Sequence, residues 1–457
     1  MVRFFKKIKI DKADIVLGIV TLLIFTLFIF SPVQPKKFGD KNFHRETKNW
    51  VNIIFADESW HSFYIKKAPG PNVYYLVPYA LIGPSGDRQQ YWFAGILWNG
   101  IFMVLSVLLV KRIASQLFGN EVGIFSGVLM LIFPIHIYYA MGINGESMVY
   151  ISFILLLYGG MKWSRKPDRP LNSSAWWWFL LGSLALVSAR LNFIVIVPMI
   201  LLFWLVTIKG KQAPGLRKGL LIYCLLVGLF VIVARTTLNQ LPGNKGKNYH
   251  NNYGSYVLHL GRFQFREEPW DWRFWEGDIR GDSQDYQNWL ESQQVLSREA
   301  DSRPDRPLHK VFNSWVINDY VSHPLMTLKQ FIVKTLYGNV FIVNSFRPEN
   351  FSLGPLKNRT GYFIFHFLVN AVNLLLIVGF IGFIWKSRKI ILNDYWLIPV
   401  LFLTFVGFYA LTYMEPRYLF PIRVLYIITA AEFWWGLSRK LIKPETLNRM
   451  KSEMKIF

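Results

Sequence analysis

Apolar stretches of about 20 residues recur along most of this 457-residue chain, starting with IVLGIVTLLIFTLFIFSPV at positions 15–33. A run of that length matches the hydrocarbon thickness that a single helix must cross, and several in one chain leave few alternatives to a helical bundle in a bilayer. Composition agrees, with 53% hydrophobic and 17% aromatic residues. The net charge of +23 would suit a nucleic-acid binder. The lysines and arginines, however, gather at the ends of apolar runs, as the positive-inside rule requires, so nucleic acid is excluded as a partner. The expectation is an all-α polytopic membrane protein with about ten transmembrane helices.

Basic residues set the topology. Arg3, Lys6, Lys7 and Lys9 precede the first run, which lacks a small-residue cleavage site and reads as an uncleaved anchor with its start in the cytoplasm. Further spans are expected at about 91–110, 121–139, 147–161, 176–190, 191–208 and 219–237. Lys111 and Arg112 close the second on the inside, and Lys162, Arg165, Lys166 and Arg169 close the fourth. Residues 73–82 are too short to span and read as interfacial. After a polar region at 238–360, three more spans follow at about 361–385, 395–413 and 419–437. Residues 326–345 are interrupted by Lys329 and Lys334 and read as an amphipathic helix lying in the interface. Three parts result: a membrane module over 1–237, an extracytoplasmic region over 238–360, and a second membrane module with a cytoplasmic tail over 361–457. Both termini are expected in the cytoplasm, in a multi-pass plasma membrane of the bacterial inner type.

This topology rests on basic residues in the inner loops, yet it sends Asp57, Glu58, Glu146, Arg190, Glu415 and Arg417 all to the outer boundary. Acids and guanidinium groups at one membrane depth point to a polar site built between helix ends. Taken singly, each has a plainer reading. Asp57 suits a helix N-cap and Glu146 a first-turn partner for a helix dipole, while Lys66 and Lys67 suit lipid headgroups. Arg190, alone between two apolar runs, requires an anion. The turn MEPRY, with Pro416 and Pro421 nearby, presents Arg417 and Tyr418. The recurring tryptophans of the polar region (Trp270, Trp272, Trp275, Trp289, Trp315) suit either sugar stacking or a small cap anchored at the interface. The eight histidines show no metal-type spacing, no nucleotide-binding glycine motif is present, and the single Cys224 lies inside an apolar run.

With Asp57-Glu58 after the first span, Lys67-Ala68-Pro69 and Tyr74-Tyr75 behind it, Glu146-Ser147, Ser322-His323-Pro324 and Glu415-Pro416-Arg417-Tyr418-Leu419, the chain resembles the C-type fold (GT-C) glycosyltransferases. These take a sugar from a polyprenyl-phosphate donor. The branch it is most similar to is the protein O-mannosyltransferase and aminoarabinose transferase group. The resemblance implies an inverting transfer to an extracytoplasmic hydroxyl, with Asp57 as general base and Glu58 and Glu146 orienting acceptor or sugar. Lys67, Arg190 and Arg417, with Tyr418, would hold the donor phosphate. The partners implied are a polyprenyl-phosphate-linked sugar, a lipid, glycan or protein acceptor, and membrane lipids. The cofactor is unknown; a divalent metal is left open, without a ligand cluster in the sequence. Two other readings stand beside this one. An envelope polysaccharide polymerase or ligase would place its chemistry in 238–322, and a lipid-linked-sugar flippase or transporter would need ionisable groups at mid-membrane.

Overall fold

Each apolar run folds as helix in the computed structural model, which describes residues 10–30, 41–56, 58–59, 65, 68–133, 135–140, 142–165, 170–207, 213–242, 244, 249–268, 283–302, 307–340, 359–391, 395–414 and 416–441. In chain order the helices are α1 (Lys12–Phe30), α2 (Lys41–Phe55), α3 (Pro69–Ile82), α4 (Arg88–Phe118), α5 (Asn120–Ile132) and α6 (Ile135–Ala140). Then come α7 (Glu146–Ser164), α8 (Ser174–Ala189), α9 (Ile196–Thr207), α10 (Ala213–Gln240), α11 (Tyr249–Phe263) and α12 (Gln284–Ser302). The last five are α13 (Leu308–Ser322), α14 (Pro324–Val340), α15 (Arg359–Ser387), α16 (Leu397–Leu411) and α17 (Arg423–Leu441). No β-strand occurs among the described residues. α4, most of α10 and residues Phe367–Ser387 of α15 are long and apolar enough to cross a membrane, and α5, α8, Phe193–Phe203 and α16 are shorter apolar helices. The chain is an all-α polytopic membrane protein.

Most expected spans keep their places, with two changes at their ends. The third is interrupted after Ile132, where α5 gives way to the short α6. The second runs past its expected inner end. α4 is opened by a capping box between Asp87 and Gln90 and continues through Lys111 to Phe118, about 46 Å of helix. Lys111 is therefore not a solvated headgroup anchor. Its ammonium lies 2.5 Å from Asp11 and 3.0 Å from Asp14, and Arg112 donates to Asp14 at 3.0 Å. With Lys111 and Asp14 both buried, α1 and α4 are tied by neutralised charge at this end.

Small residues set the close packing that lipid cannot drive. A Cβ at Gly100 of α4 would meet the Phe25 ring of α1 at 2.6 Å. In the antiparallel pair α7–α8 the fit is reciprocal: a Cβ at Gly159 would lie 2.2 Å from the Phe179 amide nitrogen, and one at Gly182 2.3 Å from that of Leu156. The two backbones thus touch directly, and the start of α7 is fixed beside the end of α8.

The polar region folds as α11 to α14. Trp289 is buried with Leu260 and Phe263, and Trp315 stacks on Phe263 with ring centroids 5.4 Å apart. These two tryptophans are core of α11–α14, the region expected to be the outer one, rather than an open sugar platform. Trp270, Trp272 and Trp275 lie outside the described residues. The helix expected near 326–345 is α14, and its two lysines part: Lys329 is exposed among Leu325, Leu328, Ile332 and Leu336, whereas Lys334 is buried with Gln330, Val333 and Tyr337. The Lys334 ammonium donates to the carbonyls of Gly261 (2.6 Å) and Thr412 (2.7 Å). Apart from Lys329, the outward stripe is apolar, as a helix against lipid requires.

Removing one partner of a buried ion pair strands the other. Lys111→Met is expected to destabilise the detergent-solubilised protein by about 3 kcal/mol, and adding Asp11→Asn and Asp14→Asn to recover most of that loss in thermal unfolding.

Candidate functional site

The α7–α8 hairpin places Glu146, in the first turn of α7, beside Arg190, the residue that ends α8. Arg190 Nη2 donates to Glu146 Oε1 at 2.5 Å, and both side chains are largely shielded from solvent. The guanidinium also lies 4.6 Å from the ring centroid of Tyr418, which belongs to the 3-10 turn Pro416–Leu419 between α16 and α17. Tyr418 is in turn stacked on Tyr409 of α16, centroids 4.9 Å apart. Three residues singled out at positions 146, 190 and 418 thus meet at one point, joined by an ion pair and a cation–π contact.

Glu146 is held through Tyr75, from the Tyr74-Tyr75 pair, and through Asn144 and Asn99, which the sequence reading did not single out. The Asn144 side-chain oxygen accepts from the amides of Glu146 (3.1 Å) and Ser147 (3.4 Å), starting α7 at a fixed angle. The Asn144 amide donates to the Tyr75 hydroxyl at 3.2 Å. Asn99, within α4, donates to the carbonyls of Ala140 (2.8 Å) and Gly142 (3.2 Å), and its oxygen accepts from Tyr75 at 3.2 Å. Burial pushes the Tyr75 phenol up to about 12, so it stays a neutral donor. The signal in the sequence was present but faint. Asn99 is a lone amide inside an apolar run, where an unpaired amide is expensive.

Ile65 and the start of α3 are packed near the same place. α3 begins against the end of α8: a Cβ at Gly70 would lie 2.6 Å from the carbonyl carbon of Ser188, two residues before Arg190. A Cβ at Gly145 would lie 3.3 Å from Pro71. Ile65 is gripped by Asn244, whose side-chain amide donates to the Ile65 carbonyl at 2.7 Å. α2 was not expected from the sequence and carries the other supports. Glu46, fully buried, accepts from Asn72 at 3.0 Å, and His44 Nδ1 is 2.8 Å from the Tyr79 hydroxyl. Asp57, Lys66 and Lys67 themselves, Glu415, and the side chain of Arg417 lie outside the described residues. Glu58 is exposed, with its carboxylate accepting from Asn52 at 2.8 Å, and no described contact joins it to Glu146, Arg190 or Tyr418. Among the described residues no three metal-ligating side chains come together.

No protein-family model and no curated protein sequence matches the chain. Solved structures do. An archaeal oligosaccharyltransferase, AglB from Archaeoglobus fulgidus in complex with an inhibitory peptide and a dolichol-phosphate, superposes with a TM-score of 0.53 at 10% identity over 97% of this chain. This chain has the C-type glycosyltransferase fold. It spans 52% of the length of that AglB chain. ArnT from Cupriavidus metallidurans, bound to undecaprenyl phosphate, is also similar, with a TM-score of 0.36 at 15% identity over 92% of this chain and 77% of its own. The fold expected from the sequence resemblance is therefore the one observed.

Two outcomes check this geometry. Gly70→Ala forces α3 away from the Ser188 backbone and is expected to cost roughly 1–3 kcal/mol of thermal stability. His44 is lowered to about 4, first by burial and then by Arg88 and Lys48. Its folded form binds fewer protons than the unfolded chain between pH 4 and 6.5. The stability it contributes is full above pH 6.5 and lost as pH falls toward 4. The melting temperature should fall over that window in the wild type and fall less in His44→Gln.

Proposed function

We propose that the chain is a membrane glycosyltransferase that moves a sugar from a polyprenyl-phosphate donor to an extracytoplasmic hydroxyl with inversion. The observation that carries this reading is the meeting of Glu146, Arg190 and Tyr418 at helix ends of a C-type fold. A guanidinium oriented by a carboxylate and an aromatic face is a preorganised receptor for a phosphate leaving group. AglB and ArnT, which resemble the chain in architecture, were each solved with a lipid-linked phosphate bound.

In the proposed reaction the acceptor oxygen attacks the anomeric carbon as the bond from that carbon to the phosphate oxygen breaks. The acceptor proton passes to Asp57, the general base. The departing polyprenyl phosphate takes the electron pair of the broken bond, and its charge is met by Lys67, Arg190 and Arg417, with Tyr418 backing Arg190. Glu146 holds Arg190 in register, and Glu58 orients acceptor or sugar. Support for placing Lys67 here comes from the anchors on either side of it, Ile65 on Asn244 and Gly70 packed on Ser188, while Asp57 takes its role from the sequence resemblance. No covalent intermediate is required, and Cys224 is buried within α10. The active site is proposed to face away from the cytoplasm, in a bacterial inner membrane, with a lipid, glycan or protein as acceptor.

The test is release of polyprenyl phosphate from a polyprenyl-phosphate sugar by the purified protein. Asp57→Asn is expected to lower turnover by at least about 100-fold, and Arg190→Ala by a similar factor. Full turnover in Asp57→Asn overturns the reading. If substitutions in 238–322 dominate instead, the chemistry belongs to a polymerase or ligase.

A further inference from the structure

A second concave feature lies far from Glu146 and Arg190. Arg423 and Arg439 are 16 residues apart on α17, so the far end of that helix is about 24 Å along its axis from the Tyr418 turn. That separation approaches the thickness of a hydrocarbon core, and places the two features at opposite membrane boundaries. There the ends of α4, α15 and α17 and the start of α5 enclose a cleft of about 680 Å³. A volume of this order is typical for a small-molecule site.

Its charge is specific. Lys386, from the last turn of α15, and Arg439 and Lys440, from the last turn of α17, all line it. The lining also includes two carboxylates, each held by a donor from the protein. Glu432 accepts from Lys386 at 2.9 Å, and Glu121 from the Trp435 indole at 3.1 Å. The cations exceed the carboxylates. The first turn of α5 forms another wall and itself carries Glu121, whose carboxylate offsets the positive partial charge of that helix start. Gly436 also lines the cleft, 3.4 Å from the Lys386 ammonium at the position a Cβ would take. Trp435, fixed against Glu121 and lying 6.0 Å from Phe125, supplies an amphipathic surface suited to the headgroup layer.

We propose that this cleft binds the phosphoester headgroup of an anionic phospholipid from the leaflet opposite the Glu146–Arg190 site. The phosphate is received by Arg439 and Lys440, and Trp435 packs beside the glycerol. Basic pockets between helix ends are suited to such headgroups, and each cation near the membrane surface is worth about a fivefold change in affinity.

The full-length protein is reconstituted with phosphatidylglycerol in a phosphatidylcholine background, and retained lipid is counted by native mass spectrometry. Retention of phosphatidylglycerol is expected to fall roughly 25-fold in the double variant R439Q/K440Q. The control is K162Q/R165Q, which removes two cations from the end of α7, a helix end without this cleft, and it should retain lipid like the wild type. Glu432→Gln frees Lys386 and is expected to raise retention about fivefold, an opposite sign that a folding defect cannot mimic. Glycerol 3-phosphate, offered at the same concentration, separates the sources. Failure to compete shows that the lipid is the ligand, and equal competition overturns the lipid in favour of a soluble phosphoester. Equal retention in R439Q/K440Q and K162Q/R165Q, with no gain in Glu432→Gln, overturns the site altogether. Sugar transfer is not measured, so the outcome is independent of the proposed reaction.

Discussion

The guanidinium of Arg190 must be neutralised at the edge of a hydrocarbon layer, and much of the surrounding packing serves that requirement. Its carboxylate, Glu146, is 44 positions earlier in the chain, and its aromatic partner, Tyr418, is 228 positions later. A charge in such a place is costly unless its partners arrive in fixed geometry. The α7–α8 hairpin supplies it through backbone contact at Gly159 and Gly182, which leaves no sliding room between the two helices. Asn144, Tyr75 and Asn99 then restrain the turn into α7 through hydrogen bonds to its backbone.

On the Tyr418 side, the outer region does the equivalent work. Gln264 forms a two-way bond with Met414, donating to its carbonyl at 2.7 Å and accepting from its amide at 2.9 Å. Lys334 holds the Thr412 carbonyl, and the Tyr320 hydroxyl donates to that of Leu411. These contacts grip the chain just before the Pro416–Leu419 turn. Behind them, Arg262 donates to Asp319 at 2.7 Å and to Gln330 at 2.6 Å, while Arg266 makes two further bonds to Asp319 at 3.0 Å. The arginines hold the Asp319 carboxyl below the usual range despite its burial. The polar core of the outer region thus reaches the aromatic wall of the candidate site through backbone carbonyls.

Much of this architecture was legible in the sequence because span length and charge placement are properties of single segments. A 20-residue apolar run announces its helix, and terminal lysines mark where the run ends. The grouping of Glu146 with Arg190 and Tyr418 was legible for the same reason, since each sits where a span ends. What escaped was pairing. Nothing local tells that Lys111 finds Asp11 and Asp14 instead of water, or that Lys334 turns inward while its helix shows leucine outward. A lysine in an apolar stretch reads as a boundary when its partners are far away in sequence. α2 was missed because KNFHRETKNWVNIIF is amphipathic without being apolar, and its buried face mixes Glu46 and Thr47 with Phe43, Trp50 and Val51.

The same logic explains why Glu146, Arg190 and Tyr418 lie at helix ends and not along them. A polar group in mid-membrane needs its own buried partner, as Asn99 has, and each such group costs close packing. A helix end already presents unsatisfied amides or carbonyls, so polar side chains gathered there share partners with the backbone. Asn144 serves the first turn of α7 and positions Glu146 at once. At the opposite boundary, the start of α5 and the ends of α15 and α17 concentrate charge in the same way. Two polar layers about a bilayer apart follow directly from confining charge to the termini of packed helices. The distance between them is then set by helix length rather than by any contact between the two sites.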